Sequence, residues 1–282
     1  MNILTFDIEE WFHILDNDST KTEADWLKYE VRIHKNMDKI FNFLIANNLK
    51  ATFFVVGWIA KKYPEIVKKI DKLGFEIGSH SNMHQLLYEL NKNDIYNDTK
   101  ESILILENLI GKKISSYRAP GFSITEKNKW IFDILIELGI THDCSIFPAN
   151  RSHGGFPSFG DALPSFISYN GLKIKEFPIN TINIFGKPWI YSGGGYFRIS
   201  PYFLIKNWSK KSDYIMTYFH PRDFDYNQPV IKDLTLIRKF KSYIGLKRSM
   251  SKLNNWINDF NFIDLKKADE MVDWENSKTI FL

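Results

Sequence analysis

The sequence predicts an α/β fold in which parallel strands with outer helices close into a barrel. Strand-like apolar runs alternate with segments of helical periodicity, as they do in proteins with parallel sheets. The length of 282 residues suits a single α/β barrel. Acidic, imidazole and guanidinium side chains recur where predicted strands end, which is the rim that carries the chemistry in such barrels.

The predicted strands are short runs rich in β-branched and aromatic residues. The first ends in an acidic cluster, the second is the dense KATFFVV run, and the third leads into a pair of histidines. In chain order the predicted strands are 3–6, 50–56, 74–78, 115–118, 140–143, 172–177, 214–219 and 262–265. Glycine- and aromatic-rich residues 150–200 predict long loops and a possible hairpin over one face.

The predicted helices rest on apolar residues that recur every three or four positions. Pro64 indicates a start or a break within one of them, and Gly111 is a suitable C-cap for another. Ser123 to Glu126 resembles a capping box and predicts a helix start at Lys127. In chain order the predicted helices are 29–46, 59–73, 93–110, 127–138, 201–209, 233–243 and 249–260.

Composition and charge exclude several classes of protein. The net charge of +4 is too small to indicate nucleic-acid binding without a clustered basic patch. The single cysteine, Cys144, excludes an intramolecular disulfide and a multi-cysteine zinc site. Since no segment has the pattern of a signal peptide or the length of a membrane span, we expect a soluble, cytoplasmic protein.

Side chains that can bind a metal or move protons collect on the predicted rim. They are Asp7, Glu9, His80, His84, Arg118, Asp143 and His220. Because His80 and His84 are four residues apart, both imidazoles can reach one divalent metal. Two imidazoles and one carboxylate are ligands that proteins commonly supply to a zinc-type site with an open coordination position. A further carboxylate, an arginine and a third histidine can then act as base, orienting group and acid.

Several stretches resemble the NodB-homology polysaccharide deacetylases, and more narrowly the bacterial branch associated with exopolysaccharide and exosortase gene clusters. They are TFDIEEWFH (5–13), ATFF (51–54), HSNMH (80–84), RAPGF (118–122), DCSIFP (143–148), GGGYFR (193–198) and YFHP (218–221). The tail around 240–260 also resembles the extension of that branch, which we place at about 225–282 within one domain of residues 1–282. The resemblance covers nearly the whole chain and implies a distorted (β/α) barrel.

The resemblance implies a divalent metal held by one acidic residue and two histidines. His80 and His84 match the two histidines. Many members carry adjacent aspartates, whereas here two glutamates follow Asp7 after one intervening residue. Because Glu9 faces the same side of a strand as Asp7, it is the predicted ligand, with Glu10 as the alternative. Zinc is the expected metal, with cobalt or nickel as alternatives.

The resemblance also implies catalytic roles for the other rim residues. Asp7 matches the general base, Arg118 matches the arginine that orients it, and His220 matches the general acid. Asp143 is the first candidate for the carboxylate that adjusts the acidity of His220, and Asp223 and Asp225 are the alternatives. The expected substrate contacts are Gly121, Phe122, Tyr196, Arg198 and Trp11, with backbone N–H groups near Gly121 and Phe122 as a second oxyanion donor.

The implied reaction is hydrolysis of an N-acetyl group on an amino sugar. The implied partner is an N-acetylated glycan, as a polymer or as a lipid-linked or nucleotide-linked precursor. Two alternatives stay open: a metal-independent hydrolase of another C–N bond, such as a cyclic amide, and an inactive carbohydrate-binding relative. We expect His13 to support the metal site, and we expect ordinary roles for His34, His142 and His153.

Overall fold

An eight-stranded, mostly parallel sheet forms the centre of the computed structural model, which describes residues 1–15, 17–151 and 154–282. The expected role of His153 therefore lies outside the described residues. The strands are β1 (Asn2–Ile3), β2 (Thr5–Ile8), β3 (Thr52–Val55), β4 (Glu76–Ser79), β5 (Ser116–Tyr117), β6 (His142–Asp143), β7 (Ser165–Tyr169), β8 (Leu172–Glu176), β9 (Ile182–Ile184), β10 (Lys187–Trp189), β11 (Ile215–Met216) and β12 (Thr279–Phe281).

Helices cover the outside of this sheet. They are α1 (Glu23–Trp26), α2 (Ile33–Ala46), α3 (Gly57–Lys62), α4 (Pro64–Lys72), α5 (Lys92–Ile110), α6 (Ile131–Glu137), α7 (Gly194–Ile199), α8 (Tyr202–Ser209), α9 (Leu236–Tyr243), α10 (Leu246–Asp259) and α11 (Leu265–Met271). Pro64 begins α4 and so marks a break rather than a kink, since α3 ends two residues before it. Gly111 closes α5 with a left-handed φ of 67°, as predicted.

The sheet runs in the order β12-β7-β8-β6-β5-β4-β3-β2 and curls into an incomplete barrel. Its neighbours are parallel except for the β7–β8 hairpin. Beyond β2 the ring continues through a bridge from Phe6 to Phe219 and then one from Tyr218 to Gly193. Within the described part of the chain no ladder joins the Gly193 segment back to β8. These features confirm the predicted distorted α/β barrel.

The core lies between the sheet and the helices, where large apolar side chains are fully buried. Phe53 of β3 stacks on Phe6 of β2 with ring centroids 5.3 Å apart and lies 6.2 Å from Phe41 of α2. Aromatic contacts of this kind add to the free energy gained from apolar burial. The core therefore fixes β2 and β3, and with them the rim that follows these strands.

The structure corrects two local predictions. Helix α6 begins at Ile131 rather than Lys127, because Asn128 accepts from the Thr125 N–H and donates to the Ser123 carbonyl, which forms a polar turn instead. Residues 262–265 contribute a single bridge, from Ile263 to Ile3, rather than a strand. The last strand is β12, which pairs with β7 and was not predicted.

None of the helices in the described residues is long and apolar enough to cross a membrane.

Candidate active site and metal centre

Parallel pairing brings the predicted catalytic residues to one rim. Ser79, the last residue of β4, pairs with Tyr117 at the end of β5, so that His80 and Arg118 leave the sheet side by side. Asp7 belongs to β2 itself, and its N–H donates to the carbonyl of Phe219, the residue before His220. Residues far apart in the sequence thus converge within one site, as the strand order requires.

Glu9, His80 and His84 form a group that can hold a metal ion. One ligand atom from each lies within 4.8 Å of the others, and all three residues are buried. Oε2 of Glu9 lies 2.6 Å from Nε2 of His84. Nδ1 of His80 bonds to the carbonyl of Arg118 at 2.7 Å, which orients the ring and leaves Nε2 for a metal. One carboxylate and two imidazoles suit a divalent ion such as zinc.

The two histidines reach one point through a strained loop rather than a helical turn. Ser81 and His84 have φ values of 62° and 51°, in the left-handed region that side chains rarely adopt. Asp98 of α5 holds this loop, because its carboxylate accepts from the N–H groups of Asn82 at 2.8 Å and Met83 at 2.9 Å. The role of Asp98 could not be predicted from the sequence, since acidic residues are common on helices.

The contacts of the two glutamates favour Glu9 as the ligand. Glu10 turns away from the histidines, and its Oε1 accepts from the N–H groups of Arg32 and Ile33 at the start of α2. Burial raises the pKa of Glu10 to about 7, although these hydrogen bonds oppose the rise. Burial also acts on Glu9, but the charges of His84 and the histidine at 220 hold its pKa well below the usual range. Glu9 is thus the carboxylate that the site keeps ionised.

Arg118 fixes the carboxylate of Asp7. Its Nη1 lies 2.7 Å from Oδ1 of Asp7 and 2.8 Å from Oγ1 of Thr5. The guanidinium is fully buried and stacks over the ring of Phe54 at 4.3 Å. A buried carboxylate that accepts a hydrogen bond from a buried guanidinium is fixed in orientation. The arrangement agrees with the predicted roles of Asp7 and Arg118.

His220 faces this carboxylate from the other side. Its Nε2 lies 3.8 Å from Oδ2 of Asp7 and 3.9 Å from Oε1 of Glu9. Its side chain is 22% exposed, compared with 7% or less for Asp7, Glu9 and His84. His220 is therefore the member of this group that a substrate meets most readily.

The partner of His220 is Asp223, which corrects the expectation for Asp143. Nδ1 of His220 lies 3.0 Å from Oδ2 of Asp223, which also accepts from the His220 N–H. Burial alone would lower the pKa of His220, but the bond to Asp223 and the charges of Glu9 and Asp7 raise it to about 9. The imidazole is thus kept protonated at neutral pH, as a general acid must be.

Asp143 belongs to a different buried pair, on the strands β6 and β8. It is in register with Glu176 and accepts from the Ser145 hydroxyl at 2.5 Å. Burial and the neighbouring Asp143 raise the pKa of Glu176 well above its usual range. One carboxyl of the pair therefore stays protonated and bonds to the other. Asp143 supports the strand ends, whereas His220 bonds to Asp223. Asp225, the other alternative, pairs with Arg32.

Three of the expected substrate contacts are engaged within the protein. The Trp11 ring is buried, and its Nε1 donates to the Glu30 carbonyl at 2.8 Å. The Phe122 ring is buried, and its N–H donates to the Ala119 carbonyl, so that this N–H is no free oxyanion donor.

Arg198, the third, supports the active site from behind. Its Nε lies 2.9 Å from Oδ1 of Asp223. Its Nη1 donates to the carbonyls of Ser242 and Ile244, at 2.9 and 2.8 Å, at the C-terminal end of α9. Substrate contact by Gly121 and Tyr196, which are half-buried, stays a prediction, and Trp189 beside Tyr196 is 39% exposed.

A cavity of about 300 Å³ opens beside His84. Its lining includes His13, Trp26, Thr20, Asp233, Thr235 and Arg238. The ring of His13 lies 5.7 Å from that of His84, and neither of its nitrogens has a hydrogen-bond partner among the residues that the structure describes. Burial and the charge of His84 lower the pKa of His13 to about 3, which keeps it neutral. Both nitrogens are themselves buried.

Family comparisons divide the chain into two matched regions. Residues 16–141 match the model "Polysaccharide deacetylase", and residues 144–270 match "Domain of unknown function (DUF3473)". The second region begins well before residue 225, where we placed the extension. Two peptidoglycan-N-acetylglucosamine deacetylases of Bacillus cereus are similar to the chain, at 38% identity over 93 residues and 30% over 101. These matches cover 33% and 36% of this chain but only 34% and 37% of the relatives, so the chain spans about a third of their length.

A solved structure extends the likeness to the complete fold. A Mycobacterium smegmatis protein described as a polysaccharide deacetylase superimposes with a TM-score of 0.67, covering 99% of this chain and 92% of its own. Its sequence identity of 16% makes this a statement about the fold. The family match, the barrel and the residues on its rim agree with one another: residues 16–141 form a polysaccharide deacetylase domain, and the DUF3473 region follows it.

Proposed function

We propose that the protein is a metal-dependent hydrolase that removes N-acetyl groups from an amino sugar of a glycan. The observation that carries the proposal is the convergence of two sets of groups on one rim. Glu9, His80 and His84 supply a metal-binding set, while Asp7 and His220 approach the same point with opposite proton-transfer roles. Deacetylation of an amide needs both sets, whereas sugar binding alone needs neither.

The proposed metal is zinc, with cobalt or nickel as alternatives, held by Glu9, His80 and His84. When bound, such an ion would polarise the acetamide carbonyl and lower the pKa of a water toward about 7. Asp7, oriented by Arg118, accepts a proton from the attacking water. The water oxygen bonds to the carbonyl carbon. His220 then donates a proton to the amine nitrogen as the C–N bond breaks, which leaves acetate and a free amino sugar.

The cavity beside His84 is the proposed position of a sugar ring. Its volume of about 300 Å³ suits one saccharide unit, and its lining is largely polar. Asp233 and Thr235 are exposed residues of its lining and can bond to sugar hydroxyls. The names of the Bacillus cereus relatives, peptidoglycan-N-acetylglucosamine deacetylases, support an N-acetylated hexosamine as the unit that is deacetylated.

The resemblance to the exopolysaccharide-associated branch favours an exopolysaccharide or its precursor, lipid-linked or nucleotide-linked, as the natural substrate. The proposal is tested by acetate release from N-acetylglucosamine oligomers, with protein reconstituted in turn with zinc, cobalt and nickel. Acetate release that Asp7→Asn abolishes is the expected result. An Asp7→Asn variant as active as the wild type would contradict the assignment of the base. Hydrolysis of a cyclic amide by metal-free protein, with no acetate from any glycan, would favour the alternative hydrolase.

A further inference from the structure

Helix α9 presents its apolar side chains to solvent. Leu236 is 84% exposed, Ile237 69% and Phe240 54%. No residue of this helix is buried. Single exposed apolar residues are ordinary, but three on one short helix form a patch that normally marks an interaction site. We call these three residues the α9 patch.

Polar contacts hold α9 in place without the α9 patch. The Tyr243 hydroxyl accepts from the Ile231 N–H at 3.0 Å, and the Arg238 guanidinium donates to the Leu15 carbonyl. At the C-terminal end, carbonyls of Lys241 and Ser242 accept from the buried Arg198. The three exposed apolar side chains take no part in these contacts.

Basic residues are concentrated in the segment that contains the α9 patch. Between positions 236 and 252 the sequence has six lysines and arginines and no aspartate or glutamate. They are Arg238, Lys239, Lys241, Lys247, Arg248 and Lys252. Lys241, Lys247 and Arg248 are exposed. The protein as a whole carries only +4, so this segment concentrates positive charge beside exposed apolar groups.

From these features we infer that α9 docks the protein on an anionic lipid surface. A convex helix with Leu, Ile and Phe outward and lysines at its border fits the boundary between lipid headgroups and acyl chains. The lysines can pair with anionic headgroups while the apolar side chains enter the boundary. A protein partner would need an apolar groove that matches the shape of the helix and has an acidic rim. A fluid bilayer needs no such matched groove.

The position of α9 connects docking with the active site. Asp233, Thr235 and Arg238, at or just before its first turn, line the cavity beside His84. At its other end the Lys241 carbonyl bonds to Arg198, which pairs with the Asp223 that holds His220. Docking would therefore bring the mouth of the cavity to the lipid surface, where a lipid-anchored glycan is presented. This last step rests on the proposed function, while lipid binding itself does not.

Vesicle co-sedimentation tests the inference, with large vesicles of phosphatidylglycerol compared with vesicles of phosphatidylcholine. The wild type is expected to pellet with the phosphatidylglycerol vesicles and to be released by salt. The triple variant Leu236→Ser, Ile237→Ser, Phe240→Ser is expected to stay in solution. The control Phe281→Ser removes a side chain that is 79% exposed on β12, and it is expected to bind like the wild type.

A second pair of variants separates charge from apolar contact. Since a lysine near an anionic surface contributes on the order of 1 kcal/mol, Lys241→Gln and Lys247→Gln should each lower vesicle partitioning about fivefold. All altered side chains are exposed, so the circular dichroism spectrum and the melting temperature should not change. The inference would be overturned if the wild type did not bind phosphatidylglycerol vesicles, or if the triple variant still pelleted with them. So would a stable dimer of the wild type that the triple variant abolishes, because a second copy would then cover the α9 patch.

Discussion

Asp223→Asn tests the link between this carboxylate and the general acid. The substitution keeps the shape of the side chain but removes the charge that lies 3.0 Å from Nδ1 of His220. Without that charge, burial lowers the pKa of His220 and only Glu9 and Asp7 oppose it. The pKa should then fall from about 9 toward the ordinary value of 6.5.

The size of the effect follows from the protonated fraction of His220. At a pH of about 8, a group with a pKa of about 9 is roughly nine-tenths protonated, whereas one with a pKa of 6.5 is about 3% protonated. The rate that depends on the imidazolium should therefore fall about 30-fold at that pH. Because the acid form is the active one, activity is lost as pH rises, and the variant should lose it at lower pH than the wild type.

The assay is the pH profile of kcat/KM for acetate release, with Asp225→Asn as the matched control. Asp225 is also buried and paired with an arginine, since its carboxylate lies 2.6 Å from Nε of Arg32, but it does not contact His220. Asp225→Asn should lower stability and leave the alkaline limb of the profile in place. Superimposable alkaline limbs for Asp223→Asn and the wild type would refute the reasoning.

Three further predictions concern the carboxylates and the arginine of the rim and the lower end of the barrel. Glu9→Gln should abolish metal binding. Glu10→Gln should retain the metal and lower only the melting temperature, since Glu10 holds the start of α2. Equal metal loss in both variants would contradict this prediction. Arg118→Met should leave Asp7 buried without its cation and lower the free energy of unfolding by about 3–5 kcal/mol in urea titrations; a change below about 1 kcal/mol would contradict it. Burial raises the pKa of Glu76 from 4.5 to about 7. The stability that its protonated form contributes is therefore fully present below pH 4.5 and is lost as the pH rises through about 7. Glu76→Gln should accordingly flatten the decline of the urea midpoint over that interval, and an unchanged decline would contradict this assignment.

The fold and much of the site could be predicted from the sequence because they follow from local patterns. Strand-like runs followed by Asp7, His80 and Arg118 placed these side chains on one rim, and parallel pairing brings them together. The HxxxH spacing correctly singled out two histidines that meet. It suggested the wrong local geometry, because the loop uses left-handed residues that no pattern of polarity reveals.

The remaining side-chain partners depend on contacts that no local sequence pattern shows. Asp143 follows a strand, as the other rim residues do, yet its register with Glu176 directs it to another carboxyl. The partner of His220 is close in sequence, but only the short helical turn that begins at Pro221 shows that Asp223 folds back. Arg198 lies in a motif that resembles a ligand loop, while its contacts are carbonyls more than 40 residues further on.

The central claim is that Glu9, His80 and His84 bind the metal on which deacetylation depends. Metal content per chain, measured by mass spectrometry on wild type and His84→Ala purified side by side, tests it most directly. His34→Ala serves as the control, since His34 is exposed and lies beside Glu65 rather than beside a proposed ligand. The account predicts near-stoichiometric metal in the wild type and the control, and loss of both metal and acetate release in His84→Ala. Wild-type protein that stays metal-free after reconstitution with zinc, cobalt or nickel, or an active His84→Ala variant, would contradict it.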